Sequence, residues 1–271
     1  MRSRDSSNPQ QMNLSASHLS KVFQGRGGSR IKALAEVSMN LPTGRFYTIL
    51  GENGAGKTTL LRLLAGLLKP TSGSFSMCEF QSGGDLRRLR AGVGYLSAGT
   101  GLYDRLSPRE LVSFFGKLHE IERPTLKGRV ERLFRRLGVI EYQDQLCGQL
   151  STGMSQKVSL ARALVHEPDF LLLDEPFESI DILARKTIAE MLKELVKAGK
   201  TVLCSAHRVE DIEPLCDHVL IFARGRLIVN APFPNIQREH DGRTLAEIFV
   251  RVMEERNQRN AAGKDHAAVR C

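Results

Sequence analysis

One stretch restricts the fold more than any other: Gly51-Glu52-Asn53-Gly54-Ala55-Gly56-Lys57-Thr58-Thr59, preceded by the apolar run 46–50 and followed by Leu60, Leu61, Leu63 and Leu64. Gly51, Gly56, Lys57 and Thr58 fit the P-loop pattern G-x-x-x-x-G-K-[ST], in the strand, turn, helix setting that the motif requires. The glycines permit positive φ and leave backbone N–H groups bare, so donors can converge on phosphate oxygens while the helix N-terminus adds partial positive charge. In that arrangement Lys57 reaches the β and γ phosphates and the Thr58 hydroxyl ligates Mg²⁺. The alternative is a glycine-rich turn ahead of an ordinary helix, which matches the pattern by chance in about one such chain per hundred.

The 271 residues, 41% of them hydrophobic, can build one large domain or two small ones around a sizeable core. No run approaches the ~20 apolar residues of a spanning helix, and the opening Met1-Arg2-Ser3-Arg4 has no apolar signal segment. The expected location is therefore cytoplasmic, with any membrane role supplied by a partner. Five scattered cysteines without C-x-x-C spacing argue for reduced thiols. The net charge of +9 gathers in Arg87-Arg88-Leu89-Arg90 and along Arg129, Arg132, Arg135 and Arg136. Such a surface fits nucleic acid or anionic headgroups, but a solvated helix face is the commoner explanation.

Residues 1–11 read as a loose tail, and strands are expected over 12–23, 34–41 and 46–50, the last leading into a P-loop helix that ends near Leu67. Shorter strands follow at 74–78 and 93–96. Ser107-Pro108-Arg109-Glu110 is a capping box with proline at the first helical position, and a second helix is expected from about Leu126 to Leu137, ending at Gly138. Phe170-Leu171-Leu172-Leu173 suits a parallel strand buried on both faces. A helix carrying Ile188, Met191, Leu192 and Leu195 stops at Gly199, and a buried strand over 201–205 precedes His207. A hairpin turns at Arg224-Gly225, an amphipathic segment covers 244–253, and the chain beyond Glu255 reads as loose.

At Leu150-Ser151-Thr152-Gly153-Met154-Ser155-Gln156 the sequence resembles the LSGGQ signature of ATP-binding cassette (ABC) ATPases, and the motif order matches that family over roughly 14–252. P-loop, helical insertion, signature, Asp174-Glu175 after a buried strand, a D-loop at Ser179-Ile180-Asp181 and a switch histidine at His207 come in sequence. The resemblance implies an α/β P-loop NTPase: a mixed, largely parallel core sheet with an N-terminal antiparallel β subdomain and an α-helical insertion. It implies a cassette over 12–238 with its insertion at about 98–150, a helical extension at 239–256 and a flexible end from 257.

The same resemblance implies residue roles. ATP would be held by Gly51, Asn53, Gly54, Ala55, Gly56, Lys57, Thr58 and Thr59, with Phe23 stacked on adenine; Phe23 as simple core is the alternative. Asp174 would join Thr58 at Mg²⁺, Glu175 would act as general base, and His207 would contact the γ-phosphate. Ser151, Gly153 and Gln156 would bind the ATP held by a second copy, making a head-to-tail homodimer with two nucleotides sandwiched between copies. Asp181 would lie at that interface or serve only as a helix cap.

One departure stands out. Ala98 occupies the position where the family has a Mg²⁺-ligating glutamine, leaving water, Ser97 or Thr100 to substitute. Residues 97–106 look like sodium-exporting ABC ATPases, in which this glutamine is also replaced. The resulting expectation is the ATPase subunit of an exporter, coupled to an integral membrane permease that docks near residues 103–115, with no direct nucleic acid binding. Two other classes compete. A soluble ABC ATPase acting on nucleic acid or the ribosome usually has two cassettes or a long coiled-coil insertion, and this chain has neither. A binding subunit that does not turn over is disfavoured by the presence of Glu175 and His207.

Overall fold

The computed structural model describes residues 13–77, 80–97, 101–206 and 208–261. In chain order the elements are β1 (Asn13–Gln24), β2 (Arg30–Pro42), β3 (Phe46–Gly51), α1 (Lys57–Leu64), β4 (Ser72–Met77), β5 (Phe80–Gln81), α2 (Leu86–Gly92) and β6 (Val93–Leu96). There follow α3 (Pro108–Leu118), α4 (Arg123–Leu137), α5 (Thr152–Leu164), β7 (Phe170–Asp174), α6 (Ile182–Lys197) and β8 (Thr201–Ser205). The chain closes with β9 (His218–Ala223), β10 (Arg226–Pro232), α7 (Phe233–Glu239) and α8 (Leu245–Ala261).

Two sheets result. An antiparallel one runs β2-β1-β4-β5, and a mixed one runs β10-β9-β3-β8-β7-β6, parallel except for β10 against β9. Strand alternation divides the apolar residues of the mixed sheet between two cores. Leu171, Leu173, Val202 and Ile221 face the helical side with α3 to α8, whereas Phe170, Leu172, Leu203 and Phe222 face β1, β2, β4 and α1. Four large apolar residues in succession along β7 are therefore all buried because both faces of that strand are covered.

The capping box forms as its spacing predicts. Ser107 N donates to the Glu110 carboxylate at 2.9 Å, and Glu110 N donates to Ser107 Oγ at 3.2 Å. The P-loop helix is shorter than expected: α1 stops at Leu64 because Gly66 takes φ +67, where a Cβ would lie 2.8 Å from Leu89. The side chain it would strike belongs to α2, a helix formed by the very Arg87–Arg90 stretch that looked only like a basic patch. Asp85 caps it, accepting from Arg87 N at 2.8 Å.

At the other end the loose tail expected beyond Glu255 is overturned as far as Ala261. There α8 continues through helix-forming Glu, Arg and Gln residues, with Met253 buried and an Arg251–Glu255 pair one turn apart. The short α7 was also unmarked in the sequence, since Pro232 and Pro234 bracket its start. No described helix is long and apolar enough to cross a membrane.

Candidate active site

Sheet register assembles the site. β8 lies between β3 and β7, with Ile49 and Asp174 both level with Ser205, so the P-loop, the Asp174-Glu175 step and the end of β8 emerge at one carboxyl edge. The loop's approach to the sheet leaves no room for side chains at two points. A Cβ on Gly51 would sit 2.5 Å from the Phe222 carbonyl oxygen, and one on Gly56, at φ +106, 2.5 Å from that of Ala33. Asn53 and Gly54 are exposed at the tip, Thr58 and Thr59 are half-buried at the start of α1, and Ala55 is buried. Ala55 N donates to the Glu52 carbonyl at 3.0 Å, so that N–H is engaged within the loop.

Lys57 is only 5% exposed, and its Nζ donates to the carbonyls of Gly51 at 2.6 Å and Glu52 at 3.3 Å. Burial lowers its pKa from the usual lysine value, opposed by the charges of Glu175 and Asp174. Asp174, at 0% exposure, is fixed through one oxygen: Thr58 Oγ1 donates to Oδ1 at 3.1 Å and Ser205 Oγ at 2.8 Å. Its other oxygen, Oδ2, is buried with no hydrogen-bond partner among the described residues. An orphaned carboxylate oxygen beside a threonine hydroxyl is a hard-oxygen donor set of the kind Mg²⁺ prefers, which makes Thr58 and Asp174 a fitting pair for that ion.

Glu175 follows in a left-handed backbone conformation at φ +56, its N–H donating to Ser205 Oγ at 3.0 Å. Burial first, then the neighbouring carboxyls of Glu178 and Asp174, push its pKa up to about 7, with Lys57 opposing. Ser205 and Glu178 went unmarked in the sequence. The signal for Ser205 was a hydroxyl closing a buried strand, and for Glu178 an acid three residues beyond the first.

The remaining expected residues fall in two other places. Ser151 caps α5, accepting from Met154 N at 3.3 Å, and is exposed. Gly153 packs so tightly on the D-loop that a Cβ would meet Asp181 Oδ2 at 2.6 Å. Gln156 Nε2 donates to the Pro176 carbonyl at 2.9 Å, tying α5 to the residue after Glu175. No hydrogen bond joins Ser151, Gly153 or Gln156 to the P-loop among the described residues. Asp181 caps α6, its Oδ1 accepting from Ala184 N at 2.8 Å. Phe23 is 37% exposed with Lys21 Nζ 5.2 Å from its ring centroid, so the simple-core reading of that side chain does not hold. His207, Ala98 and Thr100 lie outside the described residues.

A phosphate-cradling loop, a buried lysine, a carboxylate with an open oxygen and a second carboxyl beside it, all at one edge of a mainly parallel sheet, define a P-loop nucleotide-binding protein. Comparison with known proteins narrows that class. Residues 34–178 match the model of the ABC transporter family. The ABC transporter ATP-binding protein NatA of Bacillus subtilis is 37% identical over 81% of this chain and 90% of its own length. The methionine import ATP-binding protein MetN 1 of Yersinia pestis is 32% identical over 86% of this chain and 69% of its own length. Among solved structures, an ATP-binding subunit of an ABC transporter superposes with a TM-score of 0.80 at 25% identity, covering 89% of this chain and 99% of that one. The fold is shared too by a dimeric ATP-binding cassette bound to ADP and Pi, at a TM-score of 0.75 and 24% identity over 81% and 98% of the two chains. The chain belongs to the ABC transporter family as an ATP-binding subunit, an ATPase using ATP and Mg²⁺.

Proposed function

We propose that the chain powers an ABC exporter as a head-to-tail homodimer, seated on a separate integral membrane permease at the inner face of the cell membrane. Residues 12–238 form the cassette in this reading, 98–150 its helical insertion and 239–256 an extension. The observation that carries turnover, and not binding alone, is the hydrogen-bonded series Thr58, Asp174, Ser205, Glu175 beside the buried Lys57.

Gly51, Asn53, Gly54, Ala55, Gly56, Lys57, Thr58 and Thr59 hold the phosphates, and Phe23 offers an exposed ring face to adenine. Thr58 and Asp174 would hold Mg²⁺, which would supply positive charge against the phosphates. Glu175 takes the proton of the attacking water, and His207 holds that water from the far side. Ser151 and Gly153 present the N-terminus of α5 to the γ-phosphate on the second copy, with Asp181, packed on Gly153, at the same interface and Gln156 bracing α5 against the turn after Glu175. Closure of the dimer on ATP follows from contacts made only when the γ-phosphate is present.

Export of sodium, or of another small ion or drug, rests on the likeness of residues 97–106 to sodium exporters. A methionine import ATP-binding protein is also 32% identical over 86% of this chain, so direction is a matter for transport assays. Ion pairing of the α4 arginines weighs against the nucleic acid alternative: Arg129 and Arg132 are matched to Glu167, Arg135 to Glu131, and Arg136 to Glu194. The test is Glu175→Gln against the parent chain in steady-state ATPase and size-exclusion assays. A general base contributes about 10²–10⁴ in rate, so hydrolysis should fall at least about a hundredfold. ATP should meanwhile hold the variant at twice the monomer mass. Wild-type turnover in the variant, or none in the parent, refutes the assignment.

A further inference from the structure

The chain that leaves β8 is anchored at two points close to the active site. Ala206 N donates to the Ile49 carbonyl at 3.3 Å, at the carboxyl edge of the mixed sheet. Further on, Asp211 ends a single 3₁₀ turn, Val209–Asp211, and its Oδ1 accepts from Arg185 Nη1 at 2.9 Å. His207 falls between these two anchors in the sequence. Arg185 also reaches the D-loop, where its Nη2 donates to the Ile180 carbonyl at 3.3 Å. The Arg185–Asp211 pair borders a cavity of about 390 Å³ whose wall also includes Glu175, Glu178 and Ser205.

Stability alone does not account for this pair. With side chains 22% and 8% exposed, it is the most enclosed ion pair among the described residues. Withdrawing two charges from water costs about as much as their attraction returns, and a well-packed apolar pair commonly serves a fold as well. Arg185 stands in the first turn of α6, the positive end of the helix dipole, where a cation is disfavoured. Its Nε is buried with no hydrogen-bond partner among the described residues, a further cost. What the pair does supply is geometry. The planar fork engages Asp211 and Ile180 together and so sets the spacing of two segments that share no helix or strand. Arg208 cannot take over, since its Nε lies 3.7 Å from Asp211 Oδ2, beyond hydrogen-bond reach.

Resting on the reading that His207 contacts the γ-phosphate, we propose that Arg185 is a positioning residue for that histidine: by holding Asp211 against the D-loop, it fixes where the chain just upstream presents His207. Val209 and Ile212 are buried and keep the turn in the core. Apolar burial is non-directional, however, so it sets the depth of the turn, whereas the Asp211–Arg185 bond sets its lateral position. A shift of about 1 Å at a catalytic group costs about a hundredfold in rate, so loss of the pair should slow hydrolysis. ATP binding should be spared, because the P-loop contacts neither Arg185 nor Asp211 by any hydrogen bond among the described residues.

The test is a cycle of single-turnover ATP hydrolysis rates at excess enzyme, run on the parent chain, His207→Ala, the pair deletion Arg185→Met/Asp211→Asn, and all three substitutions together. Replacing both members avoids stranding one buried charge. His207→Ala should lower the rate by about a hundredfold or more. The pair deletion should lower it at least about tenfold while the Kd for ATP stays within about twofold. Combined, the three substitutions should give a rate within about twofold of His207→Ala alone, because Arg185 then has nothing left to position. An equal loss from the pair deletion in both backgrounds, or no loss in the parent, overturns the proposal and leaves the role of His207 intact. Parent-like turnover in His207→Ala overturns the reading of His207 itself, and the proposal with it. Arg185→Lys, which keeps the charge but not the fork, serves if the pair deletion fails to fold; it should slow the parent at least about threefold and leave His207→Ala unchanged.

Discussion

Ser205→Ala removes one hydroxyl and disturbs two acids at once. In the folded chain Ser205 Oγ donates to Asp174 Oδ1 at 2.8 Å and accepts from Glu175 N at 3.0 Å, and the residue is fully buried. The first bond is charge-assisted and its loss costs about 1.5–3 kcal/mol; the second leaves a backbone N–H without its partner, at about 1–3 kcal/mol. The sum centres near 4 kcal/mol, and partial relaxation of the Glu175 backbone brings the expected loss to about 3 kcal/mol. For a chain of this size each kcal/mol moves Tm by about 2–4 °C, so a scanning melt in EDTA without nucleotide should drop by roughly 10 °C. ATP turnover should fall more than tenfold, because Asp174 keeps only the Thr58 hydroxyl and Glu175 loses the anchor that holds it at φ +56. A melting change worth less than about 1 kcal/mol would refute the reasoning, since a water would then have replaced the hydroxyl at little cost.

Three further outcomes follow from the same geometry. Glu175, pushed up to about 7 by burial and by Glu178, must be ionised to accept a proton, so kcat should rise with pH through that region; Glu178→Gln should move the rising limb to lower pH, measured at saturating Mg-ATP. The linkage has the opposite sense for stability: a raised carboxyl pKa contributes stability present below the ordinary value of 4.5 and lost as pH rises through about 7, which melts of the parent and of Glu178→Gln across that window should separate. Gly153→Ala drives a Cβ to 2.6 Å from Asp181 Oδ2 and should displace the α6 cap, weakening ATP-driven dimerisation at least tenfold by analytical ultracentrifugation while Tm moves by only a few degrees.

The parts legible in the sequence share one property: their chemistry is local. A P-loop, a capping box and a run such as Phe170-Leu171-Leu172-Leu173 each declare themselves within ten residues, because the constraint is a backbone conformation or a repeat of burial. The parts that stayed hidden depend on register or on long-range contact. Ser205 matters because β8 lies beside β7 with Asp174 opposite it, and nothing in Thr201–Ser205 alone specifies that neighbour. Gly153 looks like one residue of a signature until Asp181 is found against it. The end of α1 was misplaced for the same reason: Pro70 is the visible stop signal, but Gly66 turns the chain earlier, where α2 packs over it. The stretch Arg87-Arg88-Leu89-Arg90 concealed a helix because only Leu89 is buried, so its apolar periodicity is too sparse to register.

The helix α5 joins these observations into one device. Ser151 caps its start, its first turn carries Gly153 against the D-loop, its middle is tied through Gln156 to the residue after Glu175, and its last turn holds Arg162 over the ring of Phe115. Along one face Val158, Leu160, Ala161 and Leu164 are buried in the helical-side core, so the helix moves with that core or not at all. A displacement of α5 therefore reaches the turn that follows Asp174-Glu175 through the Gln156–Pro176 hydrogen bond at 2.9 Å. It follows that Gln156→Ala should weaken the coupling between partner binding and ATP turnover more than it weakens either alone, a distinction read by comparing partner-stimulated with basal ATPase rates. Equal losses in both rates would mean that Gln156 only positions the site.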